Sequence, residues 1–174
     1  MKTSSEYIKR ATDKTGADIL IRPVRRDDEA RLNEFYLGLS ERTARSFYGY
    51  SVDRSVLARE IIEQRCDADG GMHLFLIAVA SDNTIVGIGA LVRFSYSEAE
   101  YEAGLIIADG HQENGIGALF MEVLIAYASG LRIGAELVAY TTTTNAGARK
   151  LLQKFKFVLK SSEEGVMTWT YAAP

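Results

Sequence analysis

Gln112-Glu113-Asn114-Gly115-Ile116-Gly117-Ala118 is the stretch on which the fold of this chain turns. Just before it, Ala103-Gly104-Leu105-Ile106-Ile107-Ala108 is a short apolar run bounded by polar residues, the pattern of a buried strand. Just after it, Ile116, Leu119, Phe120, Val123, Leu124 and Tyr127 recur every three or four positions, which is one face of a helix. A strand that passes through a glycine-bearing turn into a helix leaves the first helical N–H groups unpaired at the positive end of the helix dipole. Such a turn is an anion site suited to phosphate or pyrophosphate. Spacing excludes two common phosphate loops. A P-loop needs four residues between its glycines and then Lys with Ser or Thr, whereas one residue separates Gly115 from Gly117 and Ala118-Leu119 follows. A dinucleotide fingerprint needs a third glycine where this chain has Phe120. What remains is Gln-x-x-Gly-x-Gly-Ala, and Gln112, Glu113, Asn114, Gly115, Ile116, Gly117 and Ala118 are its candidate anion-binding residues. The plain alternative is a tight turn whose glycines serve geometry alone.

Composition narrows the class. A chain of 174 residues fits one domain with a genuine core. Its 20 basic and 23 acidic residues give a net charge of −3, which argues against a nucleic-acid or anionic-membrane surface. Cys66 is the only cysteine, so no intrachain disulfide forms. The two histidines, His73 and His111, have no ligand-like spacing, and no metal is expected. The longest apolar runs are too short to cross a bilayer, and the N-terminus lacks the apolar stretch of a signal peptide. A cytoplasmic location is the expectation.

Along the chain, residues 1–17 read as a polar N-terminal arm and residues 18–174 as a single domain. Ile19 to Val24 reads as a first strand, with Pro23 pointing to a sheet edge. Asp27-Asp28 offers an N-cap to a helix carrying Leu32, Phe35, Tyr36 and Leu39, and Asp53 caps a second. Leu74–Ala80 and Ile85–Val92 form a hairpin about Ser81-Asp82-Asn83. Glu136–Thr141 is a further strand, Asn145 caps a last helix with Leu151, Leu152 and Phe155 on its apolar face, and Phe157–Leu159 and Val166–Tyr171 close the chain. The pattern predicts an α/β fold: a mixed sheet of about seven strands with about four helices on both faces.

This order, with the Gln112–Ala118 turn, resembles the GNAT superfamily of acyl-coenzyme A dependent N-acetyltransferases from about Ile19 to Tyr171. Ile21-Arg22-Pro23-Val24, Asp27-Asp28-Glu29, Leu39-Ser40-Glu41-Arg42-Thr43, Ser46-Phe47-Tyr48-Gly49, Ile85-Val86-Gly87-Ile88-Gly89 and Tyr101-Glu102-Ala103 are similar to the catalytic domain of Pat-type bacterial protein lysine acetyltransferases. The resemblance implies acetyl-CoA as cosubstrate and fourth and fifth strands that splay around its pantetheine arm. Leu105, Ile106, Ile107 and Ala108 would line that arm, with Asn145, Ala148 and Arg149 meeting it from the other side. The Ile106 or Ile107 amide would stabilise the developing oxyanion. Glu102, ten positions before Gln112 as in that family, would be the catalytic base. Leu152 stands where many relatives carry a Tyr acid, so no acid is carried over; Tyr140 is a spatial stand-in. Lys156-Phe157 stands in place of Gly-Phe.

The chemistry needs a base. A lysine amine with a pKa of ~10.4 is protonated at neutral pH and cannot attack a thioester until it loses a proton. The resemblance implies a primary amine as the acceptor, in the first place a protein lysine. A small amine, or a module that senses acyl-CoA without turnover, is the alternative. The closing strands and Trp169 leave a homodimer open.

Overall fold

The computed structural model describes residues 8–48, 53–66, 73–93, 100–131 and 136–172. β1 (Lys9–Thr12) and β2 (Asp18–Pro23) lead into α1 (Glu29–Gly38), α2 (Glu41–Tyr48) and α3 (Arg54–Cys66). Then come β3 (His73–Ala80), β4 (Ile85–Arg93), β5 (Glu100–Ile107), α4 (Ile116–Leu131), β6 (Glu136–Thr142), α5 (Ala146–Lys154), β7 (Val158–Glu163) and β8 (Val166–Ala172). The strands form one sheet in the order β1-β2-β3-β4-β5-β6-β8-β7. Every neighbouring pair is antiparallel except β5 and β6, which run parallel.

The mixed sheet agrees with the pattern of the sequence, with one strand and one helix more than expected. The added strand lies in the expected polar arm: Lys9–Thr12 pairs with Asp18–Ile21. It covers β2, so Pro23 does not mark a sheet edge. Pro23 is the last residue of β2, pairs only with Leu76, and lies beyond the reach of β1, where a missing N–H is harmless. The added helix is α2.

Side chains alternate across the sheet and build two cores. On one face Leu76, Val86, Leu91, Ala103 and Leu137 pack with Ile116, Phe120 and Leu124 of α4 and Leu152 of α5. On the other, Ile77, Ile88 and Ile106 pack with Leu32, Phe35 and Tyr36 of α1 and Ala58 of α3. Phe120 is wholly buried, and its ring lies on two glycines of β4: a Cβ at Gly87 would stand 2.9 Å from it, and one at Gly89 2.6 Å. These glycines let α4 sit close to the sheet.

Asp28 does not cap α1 through its carboxylate, as the sequence pattern suggested. Instead it takes a bidentate bond from Arg22, both N–O distances 2.7 Å, with Arg25 N–H at 2.7 Å and Arg31 alongside. Burial raises its pKa, but these partners outweigh that and hold it below the ordinary value. Asp53 and Asn145 do act as caps, accepting from Ser55 N and Ala148 N. Lys156, where the resemblance implies Gly, adopts a φ of 63°, so the turn after α5 has a glycine-type backbone under a lysine. Trp169 is buried in the core and donates to Thr141 Oγ1 at 3.0 Å, so it is not a surface for pairing subunits.

Gly89→Ala should force Phe120 out of its seat and lower stability by about 1–3 kcal/mol. Urea unfolding checks it: an unchanged midpoint would show that the ring has room to give.

Candidate active site

β5 is held by β4 along its length, from Tyr101↔Arg93 to Ile107↔Gly87. β6 is held by β8 from Glu136↔Ala172 to Thr142↔Val166. Between themselves β5 and β6 share only Glu100↔Glu136, Tyr101↔Leu137 and Glu102↔Val138. After Glu102 they part. These are the fourth and fifth strands of the sequence-based expectation, shifted by one because β1 precedes them.

Register decides which amides face the opening. Antiparallel pairs alternate between hydrogen-bonded and non-bonded. Ala108 N donates to Val86 O at 3.0 Å, which puts Ile106, Gly104 and Glu102 in bonded pairs with Ile88, Ala90 and Val92. Leu105 and Ile107 therefore turn N–H and C=O away from β4, toward the gap beyond the last β5–β6 pair at Glu102↔Val138. Of the two amides expected to meet an oxyanion, that of Ile106 is spent on β4; Ile107 faces the gap, and Leu105 joins it.

The glycine turn lies at the far end of this gap. Gly115 has φ +90° and Glu113 φ 64°, and the turn's first backbone bond runs from Ala118 N to Gly115 O at 2.9 Å. No backbone partner is found among the described residues for the N–H groups of Glu113 to Gly117, which converge at the start of α4. Ile116 points its side chain into the core, so only its backbone serves the turn. Gly117 faces the gap itself: a Cβ there would lie 3.3 Å from Leu151 Cδ2 and 3.7 Å from Leu105 Cδ1. A residue the sequence pattern missed holds the turn from behind. Lys14, between β1 and β2, donates its N–H to Asn114 O at 2.9 Å and its ammonium to Glu113 O at 3.2 Å. Its methylene stem lies against Gly115.

The Gln112 side chain is turned inward. Its Nε2 donates to Thr43 Oγ1 and to Ile107 O, both at 3.1 Å. Thr43 also donates to Asp109 at 2.6 Å, and Asp109 accepts from Ser40 N at 2.9 Å and Ser40 Oγ at 2.6 Å. Ser40 Oγ in turn accepts from Thr43 N at 3.2 Å, at the start of α2. This network bolts α2 to the end of β5. Burial alone would raise the Asp109 pKa, but the Ser40 and Thr43 bonds outweigh it and bring it down to about 2.

Glu102 is half-buried, and burial raises its pKa above the ordinary carboxyl value. It shares a face of β5 with Gly104 and Ile106, the face toward α1, α2 and α3. Phe47 of α2 lies on that face, over Gly104, and α2 touches both β5 and β6. Across the gap, Tyr140 stands two residues beyond Val138, on the same face of β6. Beside the opposite core, Asn145 Oδ1 is used at the start of α5 and accepts from Ala148 N at 3.1 Å. Arg149 Nη1 donates to Thr143 O at 2.9 Å, while its Nε is buried without a partner. Leu152 is buried, which leaves no acid at that position. Among the described residues no cluster of His, Cys, Asp or Glu could hold a metal, and no helix is long and apolar enough to cross a membrane.

Known proteins match this architecture. Residues 18–158 match the model of the acetyltransferase (GNAT) domain, most of the chain, and the protein belongs to that family. The GNAT domain of Streptomyces lividans PAT superposes with a TM-score of 0.85 at 18% identity, covering 98% of this chain and 99% of that one. RimJ of Mycobacterium smegmatis, solved with CoA-disulfide, gives 0.75 at 17% identity over 95% and 87% of the two chains. Spermidine N-acetyltransferase of Vibrio cholerae, solved with CoA and spermine, gives 0.70 at 14% identity over 89% and 95%. No protein of curated function matches the sequence. The chain is an acetyl-CoA dependent N-acetyltransferase, and the gap between β5 and β6 with the glycine turn at its end suits that cosubstrate's extended arm and diphosphate.

Two predictions test the supports of this site. Asp109→Asn should cost about 2 kcal/mol at neutral pH. A depressed carboxyl pKa stabilises the fold above its ordinary value, so the wild-type advantage should be complete above pH 3.8 and vanish as pH falls to about 2. Urea midpoints across that range would show it; a pH-independent deficit would exclude ionisation as the cause. Lys14→Ala should loosen the turn and weaken acetyl-CoA binding roughly tenfold, about 1.4 kcal/mol. Calorimetry giving wild-type affinity would mean the turn holds its shape without this clamp.

Proposed function

We propose that this acetyltransferase acts on a primary amine, in the first place the side chain of a protein lysine, by direct attack of the amine on the thioester. Glu102 takes the proton, directly or through a water, because a protonated amine has no lone pair to offer. Its pKa, raised by burial, moves the base toward the working pH. The N–H groups of Leu105 and Ile107 polarise the thioester carbonyl as charge develops on oxygen. The N–H groups of Glu113, Asn114, Gly115, Ile116 and Gly117 receive the diphosphate, helped by the dipole of α4. Gln112 and Ala118 complete that turn, Gln112 as a brace. Asn145, Ala148 and Arg149 flank the pantetheine arm opposite Leu105, and the unpartnered Arg149 Nε is the donor there.

The observation that carries this reading is the half-buried Glu102 at the point where β5 leaves β6, on the α2 face and three residues, about 10 Å along the strand, before the Leu105 amide. A macromolecular acceptor is favoured by the openness of that face among the described residues. Phe47 is 41% exposed beside Glu102, and Tyr140 is 48% exposed across the gap. The resemblance to Pat-type domains adds to this. The fold shared with a spermidine N-acetyltransferase supports a small polyamine as the second acceptor to test.

Thiol release from acetyl-CoA, with a lysine peptide or spermidine offered in turn, separates the two acceptors. Glu102→Gln should lower kcat by roughly two to four powers of ten and remove the limb of kcat/KM that rises with pH as the carboxyl ionises, above its ordinary 4.5. Because burial disfavours the charged form, the fold gains nothing from ionised Glu102 at neutral pH, so the variant should melt no lower than wild type. An unchanged rate with an intact pH limb would remove Glu102 as the base.

A further inference from the structure

Gly104 and Gly117 border the same gap from opposite sides of the sheet, and each leaves room for a different neighbour. Gly117 opens the side of α4 and α5, between Leu105 and Leu151. Gly104 opens the side of α2, and there the room is already taken. Cζ and Cε2 of Phe47 lie 3.3 and 3.4 Å from where a Gly104 Cβ would stand. Phe47 belongs to a helix that touches both β5 and β6 and so roofs the gap on that face. The ring is held on its flank by Tyr48, edge to face at 4.8 Å. Tyr48 is bonded in turn to the buried Tyr36 of α1. At its N-terminus the helix is fixed by the Asp109–Ser40–Thr43 bonds. The Phe47 ring is therefore a braced wall over the residue just before the edge amide of Leu105.

We propose that Phe47 sets the length of the acyl group this enzyme transfers, by closing the α2 side of the gap over Gly104 so that an acetyl group fits and longer chains do not. The inference rests on the acetyl-transfer reading above and extends it to acyl-chain specificity. A thioester whose carbonyl meets the Leu105 or Ile107 N–H places its acyl carbons beside Gly104, the position with no side chain of its own. The methyl of an acetyl group stays in the gap beside Gly104, and further carbons run into the Phe47 ring, which already fills the space a Gly104 side chain would take. A pocket that lacks room for one methylene discriminates by roughly 10–200-fold, so one aromatic wall suffices for a preference of that size.

The test uses the full chain and coenzyme A, acetyl-CoA, propionyl-CoA and butyryl-CoA, each titrated by calorimetry. Wild type should bind acetyl-CoA at least tenfold tighter than butyryl-CoA. Phe47→Ala should reduce that ratio at least tenfold, and Phe47→Leu should fall between. The same order should appear in kcat/KM for each thioester on whichever amine is turned over. Phe47 is part-exposed, so thermal melts of both variants should stay near wild type. An acyl ratio unmoved by Phe47→Ala overturns the wall, above all if the variant instead raises KM for the amine, which would make Phe47 an acceptor contact. Failure of free coenzyme A to bind wild type would sink the acetyl-transfer reading itself, a result distinct from an unmoved ratio.

Discussion

Two strands that begin as neighbours and then separate are the constraint on which this structure depends. Backbone N–H and C=O groups left without partners are costly when dry, and sheets normally pair them. Here β4 grips one side of β5 to its last residue and β8 grips one side of β6 to its last residue. Each strand is thereby committed to a different partner, and the strip from Leu105 to Ile107 is left facing a gap. The gap persists because structures at its rim hold it open. Gly117 keeps α4 from filling it, while α2 bridges both strands above. An extended ligand with amide groups can satisfy that strip as a strand would.

The same rim couples the two halves of the site. Asp109 and Gln112 flank the 3-10 turn after β5, and both reach α2, across 66 to 69 residues of sequence. Gln112 also spends a donor on Ile107 O, one of the carbonyls turned toward the gap. The glycine turn, the last edge carbonyl and the helix α2 are therefore one hydrogen-bonded unit. Lys14 fixes the turn from the outer side.

Much of this was legible in the sequence where local pattern carries the information. The Gln112–Ala118 turn shows itself by two glycines between an apolar strand and an amphipathic helix, and alternation along β5 places Glu102 and Ile106 on one face. What escaped is set by long-range partners. Lys9-Arg10-Ala11-Thr12 has no apolar alternation, because β1 is an edge strand with alternately half-exposed residues. The helix α2 is only two turns long and polar in composition, so its short face of Ala44, Phe47 and Tyr48 is a weak signal beside the polar clamp that holds it. The choice between the amides of Ile106 and Leu105 depends on the register of β4 against β5. The inward turn of Gln112 depends on Thr43, and nothing near position 112 reveals it. Phe47 reads as one more aromatic until Gly104 is found beneath it.

The two faces of the sheet divide the chemistry between them. On one, Phe120 locks α4 against Gly87 and Gly89, and the helix cannot shift without displacing a buried ring. On the other, Glu102 and Phe47 lie where α2 crosses the gap, beside a core built by α1 and α3. The cosubstrate side is thus fixed by tight packing, which tolerates little change in volume. The acceptor side is fixed by hydrogen bonds to an exposed helix, and its apolar residues are partly in water. Substitutions there change what approaches Glu102 at small expense to stability. On the reading proposed above, a fold built this way keeps one donor while its acceptor varies, because the side chains beside Glu102 lie outside the core that seats α4.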